Sequence, residues 1–169
     1  GCGRPKPYNS GTFSSRPPPM LRVTKLTDYA TLVLTVLAAR PGDVLSAPDL
    51  AEHAGLEAPT VAKVLKPLAQ AGLVEGFRGA NGGYRLARDA AAISLVEIVE
   101  AMEGPLGMTE CSLHDGQCGI EQSCGVRANW RRINDVVADA LRGISLAEML
   151  RPAPPPNTRK AIAARLANA

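Results

Sequence analysis

Three cysteines close together in the second half of the chain are the residues best suited to chemistry. Six residues separate Cys111 from Cys118, and five separate Cys118 from Cys124. Structural zinc sites usually take thiolates in pairs roughly two to four residues apart, and this segment has no such pair. Iron–sulfur clusters are larger and are bound by cysteine thiolates. The spacing therefore favours an iron–sulfur cluster, with a zinc ion and redox-active thiols as the alternatives.

Other residues of this cysteine segment, between Gly107 and Gly125, could help to bind an iron–sulfur cluster. Four glycines give the segment conformational freedom: Gly107, Gly116, Gly119 and Gly125. Three thiolates leave a fourth position for another residue or an exchangeable ligand. His114 lies within the segment and could ligate, although a histidine in such a loop is as often only solvated. The remaining cysteine, Cys2, lies far away among Pro, Gly and Ser residues and is expected to have no role.

Hydrophobic periodicity and turn signals predict a mainly α-helical chain with a small β-hairpin wing. Helices are predicted over residues 27–39, 47–54, 58–71, 94–103 and 124–142, with a final turn over 145–150. Short strands over 73–77 and 84–87 flank an Asn-Gly pair, which is a strong hairpin signal. This order predicts a winged helix-turn-helix followed by a long dimerisation helix.

The helix-turn-helix interpretation depends on four spaced residues. Small and apolar side chains at Ala51, Val61 and Val64 would pack the two helices, and Gly55 would allow the turn between them. The outer face of the second helix then carries Thr60, Lys63 and Lys66, where a major groove could be read. The alternative is an ordinary helical hairpin with a solvated lysine face.

The hairpin strengthens the DNA-binding interpretation. Arg78 stands at the base of a glycine-rich tip and suits the narrow, negative minor groove. The tip lacks the Lys-Ser/Thr pair and the strand–loop–helix context of a nucleotide phosphate loop. We call the predicted winged helix-turn-helix, residues 20–92, the reading head. Its candidate DNA-binding residues are Thr24, Lys25, Thr60, Lys63, Arg78, Asn81, Tyr84 and Arg85.

The long predicted helix after the cysteines carries an apolar stripe. Trp130, Ile133, Val137 and Leu141 recur at helical spacing. They could complete an intramolecular core. Helix-turn-helix proteins, however, usually bind DNA as twofold dimers, so the stripe is predicted to be a homodimer interface.

Net charge does not identify the ligand of this chain. The total is +3, but residues 1–19 carry +3 and residues 151–169 carry +4, so residues 20–150 carry −4. The argument for nucleic acid therefore comes from the motif and not from bulk charge. No apolar run reaches the roughly 20 residues of a membrane span, and no signal peptide is recognised. A cytoplasmic protein with no membrane partner is expected.

Catalysis is poorly supported by the sequence. The chain has two histidines and no flavin or nicotinamide motif, so we expect neither an enzyme nor a small-molecule substrate. A redox protein and a zinc-stapled structural adaptor are the alternatives from other functional classes. The expected organisation is a disordered N-terminal extension over residues 1–19, a winged helix-turn-helix over 20–92, a cluster-binding cysteine loop with dimerisation helix over 93–150, and a flexible basic tail over 151–169.

These motifs together resemble the bacterial iron–sulfur-dependent winged-helix transcriptional regulators, a family with IscR-like and NsrR-like branches. The resemblance covers residues 20–150 and rests on LRVTKLTDYA, LAEHAGLEAPTVAKVL, GLVEGFRGANGGYRLAR, ISLVEIVEAMEG and NWRRINDV. It implies a homodimeric transcription factor that binds double-stranded operator DNA. It also implies a cluster on Cys111, Cys118 and Cys124, with 2Fe–2S favoured over 4Fe–4S.

General similarity is greatest to the SUF-system regulators of cluster assembly, which implies a repressor of iron–sulfur assembly genes. A nitric-oxide- or redox-responsive repressor of the same fold is the alternative. The sequence also departs from the family pattern. IscR-like members carry a ligand histidine three residues after the last cysteine, where this chain has Arg127. NsrR-like members use an aspartate from the first helix of the partner subunit, and Asp28 matches that position. Asp28 and His114 are therefore the candidates for the fourth ligand.

Overall fold

A computed structural model of the chain describes residues 23–79, 82–109 and 124–151. Six α-helices and one hairpin are seen there. The helices are α1 (Lys25–Ala38), α2 (Ala47–Ala54), α3 (Ala58–Gln70), α4 (Leu95–Glu103), α5 (Arg127–Arg142) and α6 (Leu146–Met149), and the strands are β1 (Val74–Phe77) and β2 (Gly83–Leu86). The predicted fold class, mainly helical with one hairpin, is confirmed. The predicted terminal segments, 1–19 and all of 151–169 except Arg151, lie outside the described residues.

Short polar side chains precede four of these helices, and α1 begins at Lys25, two residues before its predicted start. The Thr24 hydroxyl accepts a hydrogen bond from a backbone N–H in the first turn of α1. Ser46 and Asp49 form a reciprocal capping box at the start of α2. Hydrogen bonds from the side chain and then the backbone of Ser46 hold the pKa of Asp49 below its usual range. The carboxylate therefore stays ionised at neutral pH and keeps the start of α2 in place.

The long helix begins later than predicted. The prediction placed its start at residue 124, but α5 begins at Arg127 with Val126 as its N-cap. Gly125 precedes that cap, and glycine is a poor helix former. Cys124 therefore lies outside the helix, in the segment that leads into it.

The core is built around α1, which packs against α2, α3, α4 and α6. Its apolar residues recur every three or four positions and bury one face, as in any amphipathic helix. Four residues of α3 face them. The fully or almost fully buried members of this core on α1 and α3 are Ala30, Val33, Leu34, Leu37, Val61, Val64, Leu65 and Leu68.

The hairpin is attached to the head by a short backbone pairing. β1 and β2 are antiparallel with Glu75 opposite Arg85. The N–H groups of Leu45 and Tyr84 each donate to the other's carbonyl, at 3.0 and 2.8 Å. A Cβ on Gly83 would lie 2.4 Å from the Leu45 carbonyl oxygen, so only glycine allows this approach. The wing is thus fixed to the residue that precedes the cap of α2.

A second backbone pairing joins the starts of α4 and α6. Leu95 N–H donates to the Ile144 carbonyl and Leu146 N–H donates to the Ile93 carbonyl, both at 2.8 Å. This pairing fixes the segment after α5 to the core. Within the described residues, no helix has the length and apolar character needed to cross a membrane.

Candidate functional site

The turn between α2 and α3 has the geometry that the spacing predicts. Gly55 ends α2 in the left-handed conformation with φ of 63°, and the N–H of Leu56 donates to the Ala51 carbonyl at 2.9 Å. Val61 and Val64 are fully buried. This packing fixes which side of α3 faces the solvent.

The solvent side of α3 is cationic. Thr60 is half-buried, whereas Lys63 and Lys66 are exposed. Neither lysine has an ion-pair partner among the residues that the structure describes. Their ammonium groups are therefore available to phosphate oxygens without first breaking an internal contact.

Two arginines on the wing differ in how they are held. Arg85 donates from Nε and Nη2 to Glu75 Oε2 at 3.1 and 3.0 Å, and its guanidinium lies 4.8 Å from the centroid of the Phe77 ring. Arg78 is exposed and forms no ion pair with any described residue. Arg78 is thus the freer cation, while Arg85 belongs to a cluster on the outer face of the hairpin.

Sequence reasoning did not identify Glu75 and Phe77 as part of this wing cluster. The sequence did not settle this pairing, because only the observed hairpin register places Glu75 directly opposite Arg85. Opposed charges on facing strands pair across a sheet. Once this register is known, the ion pair between Glu75 and Arg85 is expected.

The other predicted DNA-binding residues lie in different surroundings. Tyr84 is half-buried against the core, and its ring carbon Cε1 lies 3.4 Å from where a Cβ of Gly76 would be. Thr24 caps α1, and Lys25 is exposed in its first turn. Asn81 lies outside the described residues.

One of the three clustered cysteines is described. Cys124 is a free, half-buried thiol, and its carbonyl accepts a hydrogen bond from Arg127 N–H at 3.4 Å at the start of α5. Cys111, Cys118 and His114 lie outside the described residues. Within the described ranges alone, no three His, Cys, Asp or Glu side chains converge as a metal site. An unbonded thiol at Cys124 has the donor chemistry that an iron–sulfur cluster requires.

Asp28 is exposed on the first turn of α1 and faces a cavity of about 730 Å³. The start of α1, a face of α4 from Leu95 to Glu103, the residues after α4 and the far half of α5 form its walls. The walls include Thr24, Thr27, Asp28, Glu103, Leu106, Val137 and Leu141.

The apolar stripe on α5 divides into two parts. Trp130 and Ile133 are 38% and 42% exposed, whereas Val137 and Leu141 are half-buried and line the cavity. Val136, which the sequence analysis did not select, is 51% exposed beside the first pair. The described part of the chain therefore leaves the first half of this face without an apolar partner.

Residues 23–152 match the profile of the Rrf2 family, described as an iron-dependent transcriptional regulator. The chain is 34% identical over 135 residues to Protein aau3 of Rhizobium meliloti (strain 1021), which is 79% of this chain and 88% of that protein. It is 30% identical over 131 residues to the HTH-type transcriptional regulator IscR of Vibrio cholerae serotype O1, which is 77% and 75% of the two chains. The solved structure of CymR, the global cysteine regulator of B. subtilis, is similar with a TM-score of 0.60 and 27% identity, over 77% of this chain and 96% of that one. These similarities extend well beyond the DNA-reading head.

Proposed function

Since the chain belongs to the Rrf2 family of transcriptional regulators, we propose that it binds operator DNA as a homodimer, senses an iron–sulfur cluster and represses iron–sulfur assembly genes. The proteins it resembles are transcriptional regulators and not enzymes. The proposal rests on the presence of a DNA-binding fold and a cysteine segment in the same chain. A winged helix-turn-helix, whose Lys63, Lys66 and Arg78 have no ion pair among the described residues, is followed by three cysteines, the last of which precedes α5.

The DNA-binding step uses α3 and the wing together. With Val61 and Val64 buried, α3 turns Thr60 and Lys63 outward, where they meet base edges and phosphates in the major groove. The wing, fixed at Leu45, directs Arg78 into the adjacent minor groove, whose negative potential favours a guanidinium. Each subunit of a dimer would read one half-site.

Replacing Arg78 with alanine should weaken operator binding by roughly 1–3 kcal/mol, the size of one good specific contact. Arg78 has no ion pair within the described residues, so the substitution removes a DNA contact without disturbing the fold. The measurement is the operator Kd at fixed salt by fluorescence anisotropy.

Arg132→Ala is the matched control for Arg78→Ala, because it removes the same charge from an exposed position on α5. The control should bind the operator like the wild type. If the Arg78 variant and the wild type bind the operator with equal affinity at matched salt, Arg78 of the wing does not contribute to the DNA interface.

The cluster is proposed to be held by Cys111, Cys118 and Cys124, with 2Fe–2S favoured. When bound, it supplies a redox-sensitive and labile link between thiolates. Arg127 cannot be the fourth ligand, because a guanidinium keeps its proton and has no lone pair to donate. Asp28 is our preferred fourth ligand, reaching from the first helix of the partner subunit. A carboxylate is a weak ligand for a soft site, so iron there is easily lost, as a sensor requires.

Mixed dimers distinguish an Asp28 that ligates across the subunit boundary from an Asp28 that ligates within its own chain. We expect a dimer of one Asp28→Ala subunit and one Cys124→Ala subunit, purified through two different tags, to retain one wild-type site. That site combines the cysteines of the first subunit with Asp28 of the second. The measurement is the lifetime of the visible absorption in air, which should match the wild type at about half its amplitude.

An Asp28 that ligates within its own chain leaves no wild-type site in that mixed dimer, and the absorption should then decay as fast as in the Asp28→Ala homodimer. His114→Ala serves as the comparison. A shortened lifetime in His114→Ala alone would assign the fourth position to the cysteine segment and exclude Asp28.

Anaerobic purification tests the function as a whole. We expect visible charge-transfer absorption, bound iron and sulfide, and different operator affinities for the loaded and the metal-free protein. Zinc in place of iron and sulfide would favour the structural adaptor. Iron and sulfide without any operator affinity would favour a redox protein.

A further inference from the structure

The residues between α4 and the cysteines are tied to the rest of the molecule at both ends. We call residues 104–109 the stem. They follow the last residue of α4, Glu103, and lead directly into the cysteine segment. The stem opens on Gly104, with φ of 87°, and Pro105, whose ring fixes its own φ. It therefore starts as a turn in which the φ of Pro105 is restricted and that of Gly104 suits glycine.

At its first end the stem is tied to the start of α1. The Thr27 hydroxyl donates to Glu103 Oε1 in a short hydrogen bond, and the Thr24 N–H donates to the same oxygen at 3.1 Å. Hydrogen bonds from Thr27 and then Thr24 hold the pKa of Glu103 below its usual range. The carboxylate is therefore ionised at neutral pH and accepts both bonds.

At its second end the stem is tied to α5. The Met108 N–H donates to Asn134 Oδ1 at 3.1 Å. Asn134 is 8% exposed, and it is the buried residue of a helix whose other described residues are exposed or half-buried.

These two ties account for the buried polar side chains of the described chain. Within residues 23–79, 82–109 and 124–151, the polar residues classed as buried are Thr27 and Asn134. Buried polar groups need hydrogen-bond partners, and each of these two finds its partner at one end of the stem. Two polar groups would not be buried at these points for packing alone, because apolar side chains fill such positions at lower cost.

We propose that the stem, held by Glu103 to α1 and by Asn134 to α5, transmits the state of the cysteine segment to the reading head. The inference rests on the proposed function and names its regulation. A change in the cysteine segment shifts Met108 against α5. The short turn at Gly104 and Pro105 carries this shift to Glu103, which repositions the start of α1. Because α1 packs against α2 and α3, the reading helix follows. Glu103 and Asn134 are thus positioning residues and touch neither DNA nor metal.

The first test is the ratio of operator Kd values between metal-free and cluster-loaded protein. Glu103→Ala removes both hydrogen bonds to α1. It should bring the ratio of the two Kd values closer to one by about 2- to 30-fold, the size of effect found for substitutions that weaken the coupling between two sites. Iron and sulfide content should stay at the wild-type level. Glu103→Gln keeps an acceptor oxygen and should retain the ratio. Equal changes of both Kd values, with the ratio intact, would show a merely structural role and overturn the proposal.

The second test does not need a cluster. Hydrogen exchange of the backbone amides of residues 28–31 reports the start of α1 in the metal-free chain. Asn134→Ala disturbs the far end of the stem and should speed this exchange. In the Glu103→Ala background the same substitution should add nothing, because the connection is already broken. Additive effects would overturn the linkage, even where both variants fold normally.

The two tests separate the inference from the proposed function. A wild-type protein that binds no iron, or whose operator affinity ignores the cluster, contradicts the proposed function. The exchange experiment still decides whether the stem connects α5 to α1. Non-additive exchange supports the connection, and additive exchange rejects it.

Discussion

Cys124→Ala should purify without visible charge-transfer bands and with iron and sulfide close to zero. Cys124 is a free, half-buried thiol just before α5, and alanine offers no lone pair to a metal. With three thiolates in the proposed set, the loss of one leaves two, which is too few to hold the cluster. The operator affinity of the variant should equal that of metal-free wild type. Cys111→Ala and Cys118→Ala should behave in the same way.

Cys2→Ala is the control for this experiment. It removes a thiol from the same chain but from outside the cysteine segment, so its iron, sulfide and absorption should equal those of the wild type. Full iron and sulfide content in Cys124→Ala, measured after anaerobic purification, would exclude that thiolate as a ligand. Loss of the cluster in Cys2→Ala would contradict the assignment of the three clustered cysteines.

Local features of the fold were predictable from the sequence because their causes are local. Ser46 with Asp49, and Ser94 with a glutamate three residues later, start helices through contacts within one turn. Gly55 ends α2 because its φ of 63° suits glycine. The spacing of Val61 and Val64 identified the buried face of α3, since helical periodicity brings such residues together.

The features that sequence reasoning missed join residues far apart in the chain. Leu45 pairs with Tyr84, and Glu103 accepts hydrogen bonds from Thr24 and Thr27 across more than 70 positions. No periodicity or cap signals such a contact, because it depends on how finished helices pack. Asn134 illustrates the same point. Its position on α5 indicates a polar residue beside an apolar stripe, and only the fold shows that it is buried against Met108.

The exposure of the cations on α3 was predictable from the sequence, whereas their contact with DNA stays a prediction. The exposed cations of α3 follow from its buried valines. The difference between Arg78 and Arg85 could not be read from residue types, because it depends on which arginine meets a carboxylate. The ion pair with Glu75 occupies Arg85, so Arg78 is the better candidate for inserting into a groove.

Disrupting the proposed dimer interface on α5 should also have a large effect. Ile133→Glu should convert the protein to monomers at micromolar concentration, because it places a charge in the apolar face of α5. An uncompensated buried charge costs about 3–5 kcal/mol, which raises the dimer Kd by roughly 10²- to 10⁴-fold. In the single chain Ile133 is 42% exposed beside Trp130 and Val136, so the substitution should leave the fold of each subunit intact. Sedimentation velocity measures the change in mass.

Ala128→Glu is the matched control, because it adds the same carboxylate to an exposed position on the opposite side of α5. It should remain dimeric, and a negative charge near a helix N-terminus is favourable in itself. A dimeric Ile133→Glu protein would place the interface elsewhere. If Ile133→Glu is monomeric and folded, its operator affinity should fall steeply. Two heads on one dimer bind neighbouring half-sites as a single unit, whereas separate heads bind each half-site independently.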